Sequence, residues 1–251
     1  MNKTQKDFDK LKLDFIATVS HELRTPLTSI RGFTETLINS KDKLSEEQQL
    51  KFLNIIKDQS NRLINLVENL LSASSQAATE EIFVLKPTKL SLSTDAAISL
   101  IKQKYSRKSF NINLNPTLPD ILVDNEKLIQ VLINLIENAC KYSYENSEIK
   151  ITATTFDNEF LQINIENDGI TIEKENQEKI FEKFTRLDNP MTRTNQGSGM
   201  GLFLSKKIIE KMNGKISLTS ENEHTCFSLF FPIATPENII RNKLSKEQLN
   251  Q

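Results

Sequence analysis

The sequence predicts two folds in series: an all-α helical hairpin that pairs into a dimeric four-helix bundle, then an α/β sandwich. Three observations predict this. Apolar residues recur at alternating spacings of 3 and 4 from Ile16 to Leu37 and again from Leu53 to Leu70. That period is lost between Ser72 and Glu81, where the chain turns small and polar. Beyond it, short β-branched and aromatic runs alternate with helical stretches, the order of a mixed sheet with helices on one face.

The first helix carries Ile16, Val19, Leu23, Pro26, Ile30, Phe33 and Leu37 on one stripe. Phe8, Leu11 and Phe15 repeat the spacing in a shifted phase, so the helix extends back toward Lys6. Ser40 to Lys43 breaks the pattern. Ser45-Glu46-Glu47-Gln48 then reads as a capping box, with Gln three residues after the N-cap. The second helix follows with Leu53, Ile56, Ser60, Leu63, Val67 and Leu70. One hairpin cannot bury both stripes, which is why a homodimer is expected. Strands are expected at Ile82–Leu85, Phe110–Leu114, Ile149–Thr154, Leu161–Ile165, Lys215–Leu218 and Cys226–Phe230. Helices are expected at Leu92–Tyr105, Asp124–Tyr142 and Gly201–Met212. The tail after Pro236 is charged and reads as a mobile end or a frayed helix. The expected domains are 1–74, a helical hairpin; 75–90, a linker and first strand; 91–235, the sandwich; and 236–251, a tail.

Composition sets limits on partners. The 251 residues include 32 basic and 33 acidic ones, for a net charge of −1. That balance gives no pull toward nucleic acid or an anionic membrane. No apolar run approaches the ~20 residues that cross a bilayer, and the first residues lack a signal peptide's apolar core. The expectation is a cytoplasmic segment without membrane contact of its own, with room for a membrane sensor upstream. Cys140 and Cys226 suggest no disulfide framework.

Histidine occurs only twice. His21 stands between the stripe positions Val19 and Leu23, which turns it away from the apolar face. Near its unperturbed pKa of ~6.5 an imidazole keeps a free lone pair at neutral pH. Glu22 is adjacent, Thr25 is one turn on, and Pro26 removes a backbone donor just beyond. The other histidine, His224, lies in a polar turn between two strands and reads as structural.

The later segments carry the polar clusters. Asn134, Asn138 and Lys141 share a helix face at i, i+4 and i+7. Two amide oxygens and an ammonium suit a Mg²⁺–triphosphate, because Mg²⁺ takes oxygen ligands and keeps several waters. Ile165 to Gly169 ends a strand in Asn167-Asp168-Gly169. Ile180-Phe181-Glu182-Lys183-Phe184-Thr185-Arg186 precedes a stretch without periodicity, Leu187 to Gln196, that reads as a lid. Three of the six glycines then fall at Gly197, Gly199 and Gly201, opening a helix with Leu202. Glycines at a helix N-terminus let backbone N–H groups approach phosphate.

Together these segments resemble the sensor histidine kinases of two-component systems. Ser20-His21-Glu22-Leu23-Arg24-Thr25-Pro26-Leu27 is similar to the H-box of the HisKA type, and the later segments resemble the N, G1, F and G2 boxes in the family's order. The resemblance implies that the sandwich is an ATP-binding domain of the histidine-kinase, heat-shock-chaperone and gyrase type. It implies that His21 accepts the γ-phosphoryl group, that Glu22 takes its proton, and that Thr25 positions water for dephosphorylating a partner. It implies ATP and Mg²⁺, with Asn138 as metal ligand. Asn134, Lys141, Tyr142, Asn167, Asp168, Gly169, Phe181, Phe184, Arg186, Gly197, Gly199, Gly201 and Leu202 then form the nucleotide site. The implied partner is the receiver domain of a response regulator. The G1 segment departs from the usual Asp-x-Gly-x-Gly: Asn167 stands for the aspartate and Thr171 for the second glycine. Those departures keep one rival reading open, a degenerate dimeric scaffold, and Thr25 keeps another, a protein acting mainly as phosphatase of its regulator. An ATPase of the same fold fits less well, since Asn134 stands where such enzymes carry a glutamate to activate water.

Overall fold

A computed structural model describes residues 3–40, 43–74, 83–182, 185 and 200–249, without the side chains of 3–18, 21, 22, 62, 65, 66, 68–74 and 243–249. The chain divides into two units, a helical one at the N-terminal end and a mixed α/β one after it. The helical unit is a hairpin of α1 (Lys3–Asn39) and α2 (Glu46–Ser74). Helix α1 runs without a break through Pro26, which is buried. The expected capping box at the start of α2 makes both of its bonds. Gln48 N–H donates to Ser45 Oγ at 3.2 Å, and Ser45 N–H donates to Gln48 Oε1 at 3.0 Å. Phe33 of α1 and Phe52 of α2 stack across the hairpin with ring centroids 5.1 Å apart. Residues 41–42 of the connecting loop lie outside the described residues.

The second unit begins with β1 (Lys86–Thr88), α3 (Leu90–Lys104), β2 (Ser109–Asn113), β3 (Ile121–Val123) and α4 (Asn125–Tyr142). It continues with β4 (Glu148–Phe156), β5 (Phe160–Asp168), α5 (Lys174–Gln177) and a 3₁₀ turn, Lys179–Phe181. It closes with α6 (Gly201–Lys211), β6 (Lys215–Glu221), β7 (His224–Pro232) and α7 (Pro236–Leu249). A five-stranded sheet runs in the order β2-β4-β5-β7-β6, with β2 parallel to β4 and every other pair antiparallel. Strands β1 and β3 pair separately, antiparallel.

Alternation along β5 sets the layers. Leu161, Ile163, Ile165 and Asn167 are buried, while the residues between them are more exposed. The buried row meets α4, whose Leu128, Val131, Leu132, Leu135 and Ile136 are fully buried. Helix α3 packs on one side of α4 and α6 on the other. Asp124 caps α4: its Oδ1 accepts the Lys127 N–H at 3.3 Å.

Two expectations change. Of the strand expected at Ile82–Leu85, residue 82 lies outside the described residues, and Phe83 to Leu85 are irregular. There the Val84 N–H goes to Asp124 Oδ2 at 3.0 Å rather than to a neighbouring strand, and Phe83 inserts into the core. The strand starts only at Lys86. The tail is also more ordered than its composition suggested. Pro236 opens α7, and Thr235 Oγ1 caps it by accepting the Asn238 N–H at 3.2 Å.

Candidate functional site

Helix α4 carries the expected polar face and presents it between two other elements. At one end Asn134 meets α6. Its Nδ2 donates to Ser205 Oγ at 2.8 Å, and Ser205 is buried. A Cβ at Gly201 would overlap the Asn134 carboxamide oxygen, so the start of α6 lies directly against that side chain. Gly201 is therefore demanded by close approach, which brings the N-terminus of α6, with its unsatisfied N–H groups, onto the polar face. Leu202 follows in the first turn, half-buried against the core.

At the other end of α4, two turns on, Tyr142 meets the end of β5. A Cβ at Gly169 would overlap the Tyr142 carbonyl oxygen and approach Asn167 Nδ2 to 3.1 Å. Gly169 also pairs with Ser143 as an isolated bridge, and Tyr144 N–H donates to Asp168 O at 2.9 Å. From Asn134 to Tyr142 the helix rises roughly 12 Å. Asn138 sits midway on this face, half-buried, and its carboxamide makes no hydrogen bond to a described residue. Asn167 is buried at 4 % exposure, on the helix-covered side of β5. Lys141 is also half-buried, with its ammonium 3.2 Å from Glu137 Oε1.

The structure thus brings together Asn134, Asn138, Lys141, Tyr142, Asn167, Gly169, Gly201 and Leu202. It does not bring Asp168 to them. Asp168 follows Asn167 on the strand and so points to the opposite face of the sheet, where its Oδ1 lies 2.8 Å from His224 Nδ1. His224 spans two carboxylates there, with Nε2 3.4 Å from Glu166 Oε2. That is the structural part expected of His224. Phe181 belongs to the hydrophobic core: it meets Phe227 edge-on at 6.4 Å, with Lys206 Nζ 5.6 Å from its ring. Phe184, Arg186, Gly197 and Gly199 lie outside the described residues, as do the stretch read as a lid and the side chains of His21 and Glu22. The backbone at His21 is helical, and Thr25 is half-buried on the next turn.

Two contributors escaped the sequence. Ser205, four residues after Gly201, orients the Asn134 amide; the available signal was a small polar residue directly after the apolar run Leu202-Phe203-Leu204. Thr171 was noted only as a missing glycine. Its Oγ1 accepts the Glu223 N–H at 2.9 Å. Asn222 and Glu223 form the β6–β7 turn with φ of 49° and 63°, a conformation costly for Glu. Three bonds hold Glu223 there. Its carbonyl accepts the Gly169 N–H at 2.7 Å, its Oε1 accepts the Tyr144 hydroxyl at 2.8 Å, and Thr171 takes its N–H. The hydroxyl at 171 thus ties the hairpin tip to the end of β5.

A divalent ion fits this donor set. Mg²⁺ commonly uses one or two protein oxygens, with waters and phosphate completing the octahedron. Asn138 offers one half-buried amide oxygen without a partner among the described residues. Among the described residues no cluster of three or more His, Cys, Asp or Glu side chains could hold a metal. No described helix is long and apolar enough to cross a membrane.

Comparison with known proteins identifies the family. Residues 123–235 match the family model described as histidine kinase-, DNA gyrase B- and HSP90-like ATPase, and residues 11–79 match the His Kinase A (phospho-acceptor) domain. An uncharacterized sensor-like histidine kinase, ycf26 of Porphyra purpurea, is 34% identical over 252 residues, covering 94% of this chain and 38% of the relative. Sensor protein SrrB of Staphylococcus aureus is 34% identical over 235 residues, covering 91% of this chain and 39% of the relative. The chain therefore spans about two fifths of the length of the curated relatives it matches. Among solved structures, the histidine kinase ThkA in complex with the response regulator protein TrrA superposes with a TM-score of 0.64 at 28% identity, covering 94% of this chain and 65% of that one. Both modules, in this order, with sensor kinases as relatives, place the chain among the two-component sensor histidine kinases.

Proposed function

We propose that this chain is the core of an ATP-dependent protein-histidine kinase that autophosphorylates His21 and passes the phosphoryl group to an aspartate of a response regulator. The observation that carries the nucleotide half is the α4 face. It runs from the N-terminus of α6 at Asn134 to the buried Asn167 at the end of β5. In this reading the adenine amino group donates to Asn167 Oδ1, and the phosphates lie toward Gly201, where the helix N-terminus favours anions. Lys141 contributes charge to the phosphates. Asn138 would hold Mg²⁺, which neutralises phosphate charge when bound. Asn134 is held by Ser205 and carries no carboxylate, so it cannot activate water as a base. That favours transfer to a side chain over hydrolysis.

The acceptor half rests on the H-box. A ring nitrogen of His21 attacks the γ-phosphorus in line, the N–P bond forms as the bond to the β–γ bridging oxygen breaks, ADP leaves, and Glu22 takes the imidazole proton. Positioning and charge neutralisation supply most of the rate. The phosphoryl group then moves to a receiver-domain aspartate, and Thr25 supports a separate step in which water attacks the aspartyl phosphate, the aspartyl O–P bond breaks and inorganic phosphate leaves. A homodimer carries the reaction. The direct test is incubation with γ-³²P-ATP. His21→Gln should lose all acid-labile label while keeping nucleotide affinity; label retained in that variant overturns the assignment. The uncharged Asn167 favours one rival, a scaffold that scarcely binds nucleotide. Calorimetric titration with millimolar Mg–ATP decides between them, since a flat titration supports the scaffold.

A further inference from the structure

One residue before Asn138, the Glu137 carboxylate has more donors than one oxygen can serve. Its Oε1 accepts from Lys104 Nζ at 2.5 Å, from Lys141 Nζ at 3.2 Å and from Tyr105 OH at 3.3 Å. Lys104 and Tyr105 come from the C-terminal end of α3, and Lys141 comes from the next turn of α4. A carboxylate oxygen offers about two lone pairs, so three donors compete for it. Lys104 makes the shorter contact and Lys141 the longer. Two lysines thus share one carboxylate oxygen.

We propose that Lys104 satisfies Glu137 and thereby releases Lys141 to the phosphates, which makes Lys104 and Glu137 positioning residues for a nucleotide neither is assigned to touch. The proposal rests on the assignment of Lys141 to phosphate. With Lys104 in place, the Glu137 oxygen keeps a full ionic partner when Lys141 turns away. Without Lys104 the carboxylate keeps Lys141 as its ammonium partner beside the Tyr105 hydroxyl, and incoming phosphate must compete with it. The lysine sits outside every segment that resembles a family box, and its side chain is 64 % exposed against 28 % for Lys141. It can be replaced without opening the core.

The experiment measures binding of Mg–ATP and of adenosine to the full chain, with single and double variants. Lys104→Met should weaken Mg–ATP by roughly two- to fivefold, the scale of one exposed ion pair, and leave adenosine unchanged. Lys104→Arg should restore the parent value. In a Glu137→Gln background, Lys104→Met should have no further effect. An equal loss in both backgrounds means that Lys104 acts only as a distant charge and overturns the proposal. So does an unchanged affinity in Lys104→Met when Lys141→Met binds Mg–ATP more weakly. If Lys141→Met binds like the parent, the assignment of Lys141 to phosphate falls, and the proposal falls with it.

Discussion

In the proposed function, adenine recognition rests on Asn167. It is 4 % exposed and lies on the face of β5 covered by helices. A neutral amide oxygen accepts one hydrogen bond worth about 1 kcal/mol, whereas an ionised acceptor gives about 1.5–3 kcal/mol. Asn167→Asp should therefore tighten Mg–ATP binding by roughly tenfold. The same change buries a carboxylate without a partner when nucleotide is absent, which destabilises the free protein. The paired expectation is a lower melting temperature without nucleotide and a larger upward shift on adding it. Thermal melts with and without Mg–ATP check both parts, and an unchanged affinity would remove Asn167 from the adenine site. The place of the neighbouring Asp168 is legible in the sequence. Leu161, Ile163 and Ile165 already set the parity of the strand, and parity puts 167 on the covered side and 168 on the other.

Elements meet here through a few side chains whose partners are far apart in sequence, and this separates what the sequence tells from what it hides. The helices were legible because their periodicity and caps are local; Ser45 and Gln48 make both bonds of the capping box. The displacement of β1 was not, because the Val84 N–H bonds to Asp124, 40 positions away. The use of Thr171 was hidden in the same way, since its partner Glu223 lies 52 positions on. The α4–α6 junction depends on a still longer link, Asn134 to Ser205, 71 positions apart. Ser205→Ala leaves the Asn134 amide N–H half-buried and unpaired, which costs about 1–3 kcal/mol. It also frees the carboxamide that Gly201 packs against. The variant should melt several degrees lower and bind Mg–ATP more weakly, and Ser205→Thr should recover part of both. Loss of stability with nucleotide affinity intact would restrict the Asn134–Ser205 bond to holding the helices together.

At the scale of the whole molecule, the helical hairpin leaves an apolar stripe uncovered among its described residues. Phe33 and Phe52 close the inner seam of the hairpin. Yet Leu53 is 53 % exposed, Ile64 54 % and Val67 44 %, and these three fall on one stripe of α2 with Ser60. Leu27 and Ile38 of α1 are also exposed, at 54 % and 71 %. The sequence placed Leu53 and Val67 on the apolar seam. Their exposure in one hairpin follows from the expected second copy, because a four-helix bundle needs seams both within and between hairpins. Exposed apolar residues in such a row mark an interaction surface. Leu53→Glu with Val67→Glu should barely disturb the isolated hairpin, where both side chains already meet water. In a bundle the same charges would be buried unpaired, a cost of several kcal/mol per dimer. Light scattering on the eluting peak should give twice the 28.7 kDa chain mass for the parent, and the chain mass for the double variant. A parent that remains monomeric at tens of micromolar would mean that the stripe serves another partner. It would also mean that His21 must meet its nucleotide within one chain.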